Sequence, residues 1–342
     1  MLGYSIYFSQ LDMSFVQNMD RRGIRTIFTS LHIPEEQINH QIIKDFLVDS
    51  KENNRDIIID ISNNTLQVIG INDYLELRTL GVKTIRIDFG ISDEEIVELQ
   101  KHFRVVLNAS TLDEQKICEL QGKGLNLKHI VAMHNFYPRE YTGISLEFFS
   151  DKNRIFKKYG IKVWTFIPGN KVLRGPVFAG LPTIEKHRDQ LPYVSFVELS
   201  HGYDIDGIFI GDPQIDNDTL DLIMRFDNEG IITLPTSELS PYIPKEIIYN
   251  NRFDESEAVI RIEQGRDLFS KNKQLYVTTK PGERLIGTIT VDNAEYFRYI
   301  GETQIMKRNL PEDSRVNCIG KIDDKYLNLL GYVKAGTKIK FQ

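Results

Sequence analysis

Three aspartates stand where apolar runs give way to polar sequence: Asp60 in DIIIDIS, Asp88 in VKTIRIDFG and Asp212 in IDGIFIGD. Other runs end in Ser30, in Asn108, and in the His134, Asn135 and Tyr137 of IVAMHNFYPREYTG. Carboxylates that close buried segments are costly unless they are paired or used. Two of them acting together can cleave a glycosidic bond, one protonating the leaving oxygen and the other serving as nucleophile or base. Asp60 and Asp88 are the expected pair, and Glu185 in GLPTIEKHR is the first substitute for either. Phe136, Tyr137, Tyr141, Trp164 and Phe166 offer aromatic faces for a sugar ring, although Trp164 equally suits a core. Ser30, His32, Asn108, His134, Asn135, Tyr137 and Asp212 are the expected substrate contacts. For any one of these residues alone, a helix cap or a satisfied loop contact is the commoner role.

Absences narrow the chemistry. Lys83, Lys128 and Lys162 begin apolar runs and none ends one, which disfavours a Schiff-base lysine. Two distant cysteines, Cys118 and Cys318, suit small buried hydrophobes in a reducing compartment and supply no cluster ligands. A metal held by Asp60, Asp88, His134 and Asp212 ranks below a metal-free site, because no two histidines share a run's end. No cofactor and no metal are therefore expected. A net charge of −6 gives no reason to expect nucleic-acid binding. The sequence contains neither a membrane-length apolar run nor an export-type leader, so the expected compartment is the cytoplasm.

The elements that must carry these residues alternate. Short continuous apolar runs, such as IRTIFTS, FRVVLNAS and IKVWTFIPG, take turns with helical stretches eight times within about 230 residues. Continuous runs fit parallel strands buried on both faces. Gly23, Gly81, Gly124 and Gly160 fall where left-handed helix ends are needed. Ser92 with Glu95, and Thr111 with Glu114, read as capping boxes. The expectation is a (β/α)8 TIM barrel over residues 1–235, with its site at the C-terminal ends of the strands. An open doubly wound sheet is the alternative, but the first turn, FSQLDMS, lacks the glycines of a phosphate loop. After Pro235 the sequence turns to short strands between Gly, Pro and Asp, without helical periodicity. This predicts a small all-β barrel or sandwich over 236–342. Loops after strands seven and eight often bind phosphate in such barrels, which draws attention to Arg174 and Arg188.

Several segments, LGYSIYFSQ, TSLHIPEE, AMHNFYPREYTG, GPVFAGLPTIEKHR, IGETQI and RVNCIGK, resemble the bacterial 6-phospho-N-acetylmuramidases. The resemblance spans essentially the whole chain. It implies a barrel followed by a cyclophilin-like β-barrel. It also implies cytoplasmic cleavage of 6-phospho-N-acetylmuramyl–N-acetylglucosamine during peptidoglycan recycling, the disaccharide having been phosphorylated on uptake. Arg315, with Arg298, Glu302 and Asn317, is the expected contribution of the second domain to the substrate pocket. The partner is a small phosphorylated amino-sugar disaccharide, not nucleic acid or membrane, and homo-oligomerisation stays open. A sugar-phosphate binder without catalysis, or a metal-dependent sugar isomerase or hydrolase, are the competing readings.

Overall fold

The computed structural model describes residues 1–30, 40–203, 205–269 and 282–342. Eight parallel strands close into a barrel in chain order. They are β1 (Leu2–Ser5), β2 (Thr26–Ser30), β3 (Asp56–Ile61), β4 (Thr84–Ile87), β5 (Arg104–Asn108), β6 (Ile130–Met133), β7 (Lys162–Ile167) and β8 (Gly207–Ile210). Intervening helices are α1 (Met13–Arg21), α2 (His40–Glu52), the short α3 (Thr65–Ile69) and α4 (Glu76–Thr79), α5 (Asp93–Leu99), α6 (Glu114–Gly122) and α7 (Leu146–Lys158). Helices α8 (Pro192–Gly202) and α9 (Asn217–Glu229) flank β8 in sequence.

Strand parity decides what faces the barrel axis. Phe28, Ile58, Val106, Val131, Met133, Trp164, Phe166 and Phe209 form one buried cluster, with Phe136 against it. A fully buried ring of this kind contributes about 1.5–3 kcal/mol. Gly3 and Gly207 are required on that face, because a Cβ there would lie 2.4 Å from the Phe209 ring and 2.5 Å from the Trp164 ring. Helix ends follow local chemistry. Ser92 Oγ accepts from the Glu95 amide at 3.2 Å, starting α5. For α6 the cap is Asp113, which accepts from the Lys116 amide at 2.8 Å. The expected cap, Thr111, instead donates its hydroxyl to the Asn108 carbonyl. Gly23, Gly81, Gly124 and Gly160 all take positive φ at the ends of their helical segments.

The chain divides into two compact units, Met1–Pro192 with Tyr203–Asn217, and Tyr193–Gly202 with Asp218–Gln342. The second holds a five-stranded antiparallel sheet in the order β10-β15-β13-β14-β12: β10 (Thr236–Leu239), β12 (Val259–Ile262), β13 (Thr288–Asp292), β14 (Thr303–Met306) and β15 (Val316–Ile322). A three-stranded sheet joins β11 (Tyr249–Asn250), β16 (Lys338–Phe341) and β9 (Ile231–Leu234), with β9 parallel to β16. Short helical turns at Ala294–Tyr299 and Asp324–Tyr332 correct the expectation that this part lacks helical structure. The strand expected in KQLYVTTK lies outside the described residues. Cys318 is half-buried, whereas Cys118 is exposed on α6, correcting its reading as a buried hydrophobe. Among the described residues, no helix is long and apolar enough to cross a membrane.

Candidate active site at the barrel mouth

The register Ser30↔Asp60↔Arg86 sets three polar side chains abreast across β2, β3 and β4. Asp60 follows inward-facing Ile58 by two residues, so strand alternation turns it toward the axis as well. Arg86 donates from Nη1 to Asp60 Oδ1 at 2.7 Å, and the same nitrogen lies 3.7 Å from Asp88 Oδ1. Its Nη2 donates to Asn135 Oδ1. Asp60 and Arg86 are almost wholly buried, while the Asp88 side chain keeps 28% of its surface exposed. One guanidinium thus joins the two expected carboxylates and the loop after β6. Arg86 was not singled out from the sequence. Its signal is an arginine inside an otherwise apolar strand, which must find a partner when buried. Asp88 and Asn108 also border a cavity of about 170 Å³, which lies between the outer face of β4 and β5 and helices α5 and α6, away from the barrel axis.

Across the mouth, Arg174 lies on the connection after β7. Its guanidinium stands over the Tyr7 ring at 4.8 Å and the Phe136 ring at 5.7 Å, within cation–π range. No carboxylate among the described residues forms an ion pair with it. Tyr7 is buried and donates to the Gly211 carbonyl at 2.6 Å. Burial pushes its phenol up, and the Arg174 charge opposes that rise. An arginine held by ring faces, with the buried Asp212 carboxylate within reach of its charge but not ion-paired to it, is suited to an anionic substrate group.

Several expected contacts serve the scaffold instead. Asp212 is fully buried and accepts from the amides of Gly169 at 2.8 Å, Leu181 at 2.9 Å and Arg174 at 3.1 Å. Burial raises its carboxyl, against the pull of those three N–H groups. It shapes the loop that carries Arg174, which corrects its assignment to substrate. His134 is also buried, but it follows inward-facing Met133 and therefore turns away from the axis. Its Nε2 donates to Asn153 Oδ1 of α7 at 2.8 Å, with the ring 4.6 Å from that of Phe149. Burial lowers its pKa to about 4. His134 is a neutral packing residue here, not a substrate contact.

Glu185 and Arg188 are likewise consumed. Glu185 accepts from the Tyr141 amide at 2.8 Å and the Gly143 amide at 2.7 Å, and from Arg188 Nε at 2.6 Å and Nη2 at 2.8 Å. Chiefly because of Arg188, its pKa falls to about 2, and its oxygens are engaged by the rim backbone and Arg188. Arg188 also donates to the carbonyls of Ala179, Gly180, Tyr137 and Arg139, so it is not a phosphate ligand. This ion pair ties the loop after β6 to the connection after β7.

Asn108 caps its own turn by accepting from the Ser110 amide at 3.0 Å. The Tyr137 hydroxyl is 3.4 Å from Ser110 Oγ. Ser30 closes β2 beside Asp60, while His32 lies outside the described residues. In the second unit, Arg315 pairs with Asp313 at 2.8 Å and covers the Tyr296 ring at 4.3 Å. Burial raises the nearby Asp292 carboxyl to about 7, helped by the charges of Glu302 and Asp313. Phe166 and Trp164 are core residues, whereas Phe136 and Tyr137 are partly buried and Tyr141 is exposed.

Two models of one protein family match the chain. Those described as 6-phospho-N-acetylmuramidase, N-terminal and C-terminal, match residues 2–225 and 232–342. A solved structure from Enterococcus faecalis, described as a conserved protein with an unknown function, is 34% identical. It covers 100% of this chain and 96% of its own, with a TM-score of 0.87. An uncharacterized B. cereus protein is 24% identical, covers 100% of this chain and 99% of its own, and has the same fold at a TM-score of 0.81. No curated protein matches the chain.

Proposed function

The chain belongs to the 6-phospho-N-acetylmuramidase family, and from that premise we propose that it hydrolyses 6-phospho-N-acetylmuramyl–N-acetylglucosamine. The products are N-acetylmuramic acid 6-phosphate and N-acetylglucosamine. The setting is the cytoplasm, where a disaccharide phosphorylated on uptake enters cell-wall recycling. The observation that carries the reading is the Arg86 guanidinium shared by Asp60 and Asp88 at the C-terminal ends of β3 and β4.

Asp60 is the nucleophile in this reading. It is buried against a fixed positive charge, which favours its ionised form. Asp88, closer to solvent, protonates the leaving oxygen and then takes a proton from water. The two Oδ1 atoms cannot be further apart than the sum of their distances to Arg86 Nη1, 2.7 and 3.7 Å. We read a pair drawn together on one guanidinium as the retaining kind, whose carboxyl groups stand roughly 5–5.5 Å apart, working through a glycosyl-enzyme. Arg174 receives the phosphate. Residues 1–235 carry the chemistry, and 236–342 form a second domain of cyclophilin type.

Release of N-acetylglucosamine from the phosphorylated disaccharide tests the reaction. Asp88→Asn is expected to abolish release while retaining binding, and wild-type turnover in that variant removes Asp88 from catalysis. NMR of the first product formed is expected to show the substrate's anomeric configuration; inversion removes the glycosyl-enzyme and makes Asp60 a base in place of a nucleophile. One observation favours a non-catalytic sugar-phosphate binder: Arg86 already pairs with both carboxylates. Tight binding without release is the signature of that alternative.

A further inference from the structure

Two aromatic residues on the rim adopt a backbone conformation that costs energy and yet leave their rings in water. Tyr141, on the loop after β6, has φ 65° and is 93% exposed. Phe178, on the connection after β7, has φ 57° and is 59% exposed. Positive φ in a bulky non-glycine residue is strained and persists only where neighbours enforce it. The enforcing groups are on both sides. Glu185 takes the Tyr141 amide, and Arg188 takes the carbonyls of Ala179 and Gly180 directly after Phe178. The Phe178 amide donates to the Arg174 carbonyl at 3.1 Å, and its ring lies over Gly175, where a Cβ would come within 2.9 Å. Core packing does not account for two rings presented this way.

We propose that Tyr141 and Phe178 are binding residues for the apolar face of the phosphorylated amino sugar. The inference rests on the substrate reading given above and adds which half of the disaccharide these rings meet. Phe178 shares a turn with Arg174, the residue assigned to the phosphate, whereas the carboxylates assigned to the anomeric centre are on β3 and β4. A sugar with its phosphate at Arg174 and its anomeric carbon at Asp60 and Asp88 presents its ring carbons, not the leaving sugar, to the β6 and β7 rim. The enforced backbones fix where both residues stand on the rim, so only their side chains remain to be ordered when a sugar docks.

Asn tolerates positive φ, so Tyr141→Asn and Phe178→Asn remove each ring without adding strain. Calorimetry with N-acetylmuramic acid 6-phosphate is expected to show about tenfold weaker binding for each, equivalent to roughly 50 Å² of apolar surface left in water. Tyr141→Phe is expected to bind like wild type. An active wild type whose two Asn variants hold this product undiminished overturns the proposal alone. Variants that weaken the disaccharide but not the product also overturn it, because they assign the rings to the leaving sugar. A wild type that neither binds the product nor cleaves the disaccharide removes the substrate reading, and the proposal with it.

Discussion

Arg86→Met takes a buried cation away from Asp60 while keeping an apolar stem in the barrel. Asp60 is 6% exposed, so its carboxylate stays buried without the charge that faced it at 2.7 Å. Removing one partner of such a pair costs about 3–5 kcal/mol. Asp60→Asn alone leaves the guanidinium with Asn135 and the more distant Asp88, at about 1.5–3 kcal/mol. The double variant loses both charges together and is expected to cost at least about 2 kcal/mol less than the two singles combined. Trp164 is the chain's single tryptophan, 4% exposed on β7, so its fluorescence reports on the barrel alone. With a urea dependence of about 2–3 kcal/mol/M, Arg86→Met lowers the midpoint of the Trp164 transition by roughly 1–2 M. A coupling energy below about 0.5 kcal/mol would refute the pairing of Asp60 with Arg86.

Arg174→Met is expected to raise KM for the phosphorylated disaccharide at least about tenfold with a small change in kcat; an unchanged KM removes Arg174 from phosphate binding. Glu185→Gln is expected to speed hydrogen exchange at the Tyr141 and Gly143 amides about tenfold at pH 7. Since Glu185 in the folded state titrates near 2, its contribution is complete above about pH 4.5 and lost as pH falls through about 2, so wild-type protection should persist at pH 5. His134 runs over a different window. Its folded pKa of about 4 lies below the usual 6.5, so the unfolded chain binds the extra proton and stability falls as pH drops from 6.5 toward 4. The loss approaches an order of 3 kcal/mol, and His134→Phe is expected to flatten it in urea titrations at successive pH values.

The barrel was legible because eight continuous apolar runs alternate with helices whose stops are glycines at Gly23, Gly81, Gly124 and Gly160. The positions of Asp60 and Asp88 were legible for a related reason: a charge closing such a run sits at the mouth, and their catalytic part is the proposal made above. His134 was misread because position at a strand's end does not fix a face. Parity does, and Met133 occupies the inward place immediately before it. Arg174 and Arg188 look alike in sequence, since nothing local says which guanidinium is already occupied. Arg188 spends its donors on Glu185 and four carbonyls, whereas Arg174 lies against two ring faces. The cap of α6 went to Asp113 over Thr111 because its carboxylate sits one residue before the helix and reaches the Lys116 amide.

The Glu185–Arg188 ion pair, with backbone bonds from the Tyr137 amide to the Pro182 carbonyl and from the Ile144 amide to the Thr183 carbonyl, fastens the stretch around Tyr137–Gly143 to that around Ala179–Thr183. For anyone grafting rim segments between relatives to change substrate preference, these two stretches behave as one cassette. Transplanting either alone strands a carboxylate or a guanidinium against a foreign backbone, so residues 137–143 and 179–188 must travel together. A chimera carrying only the first is expected to express as a barrel with a collapsed rim, and adding the second should restore it.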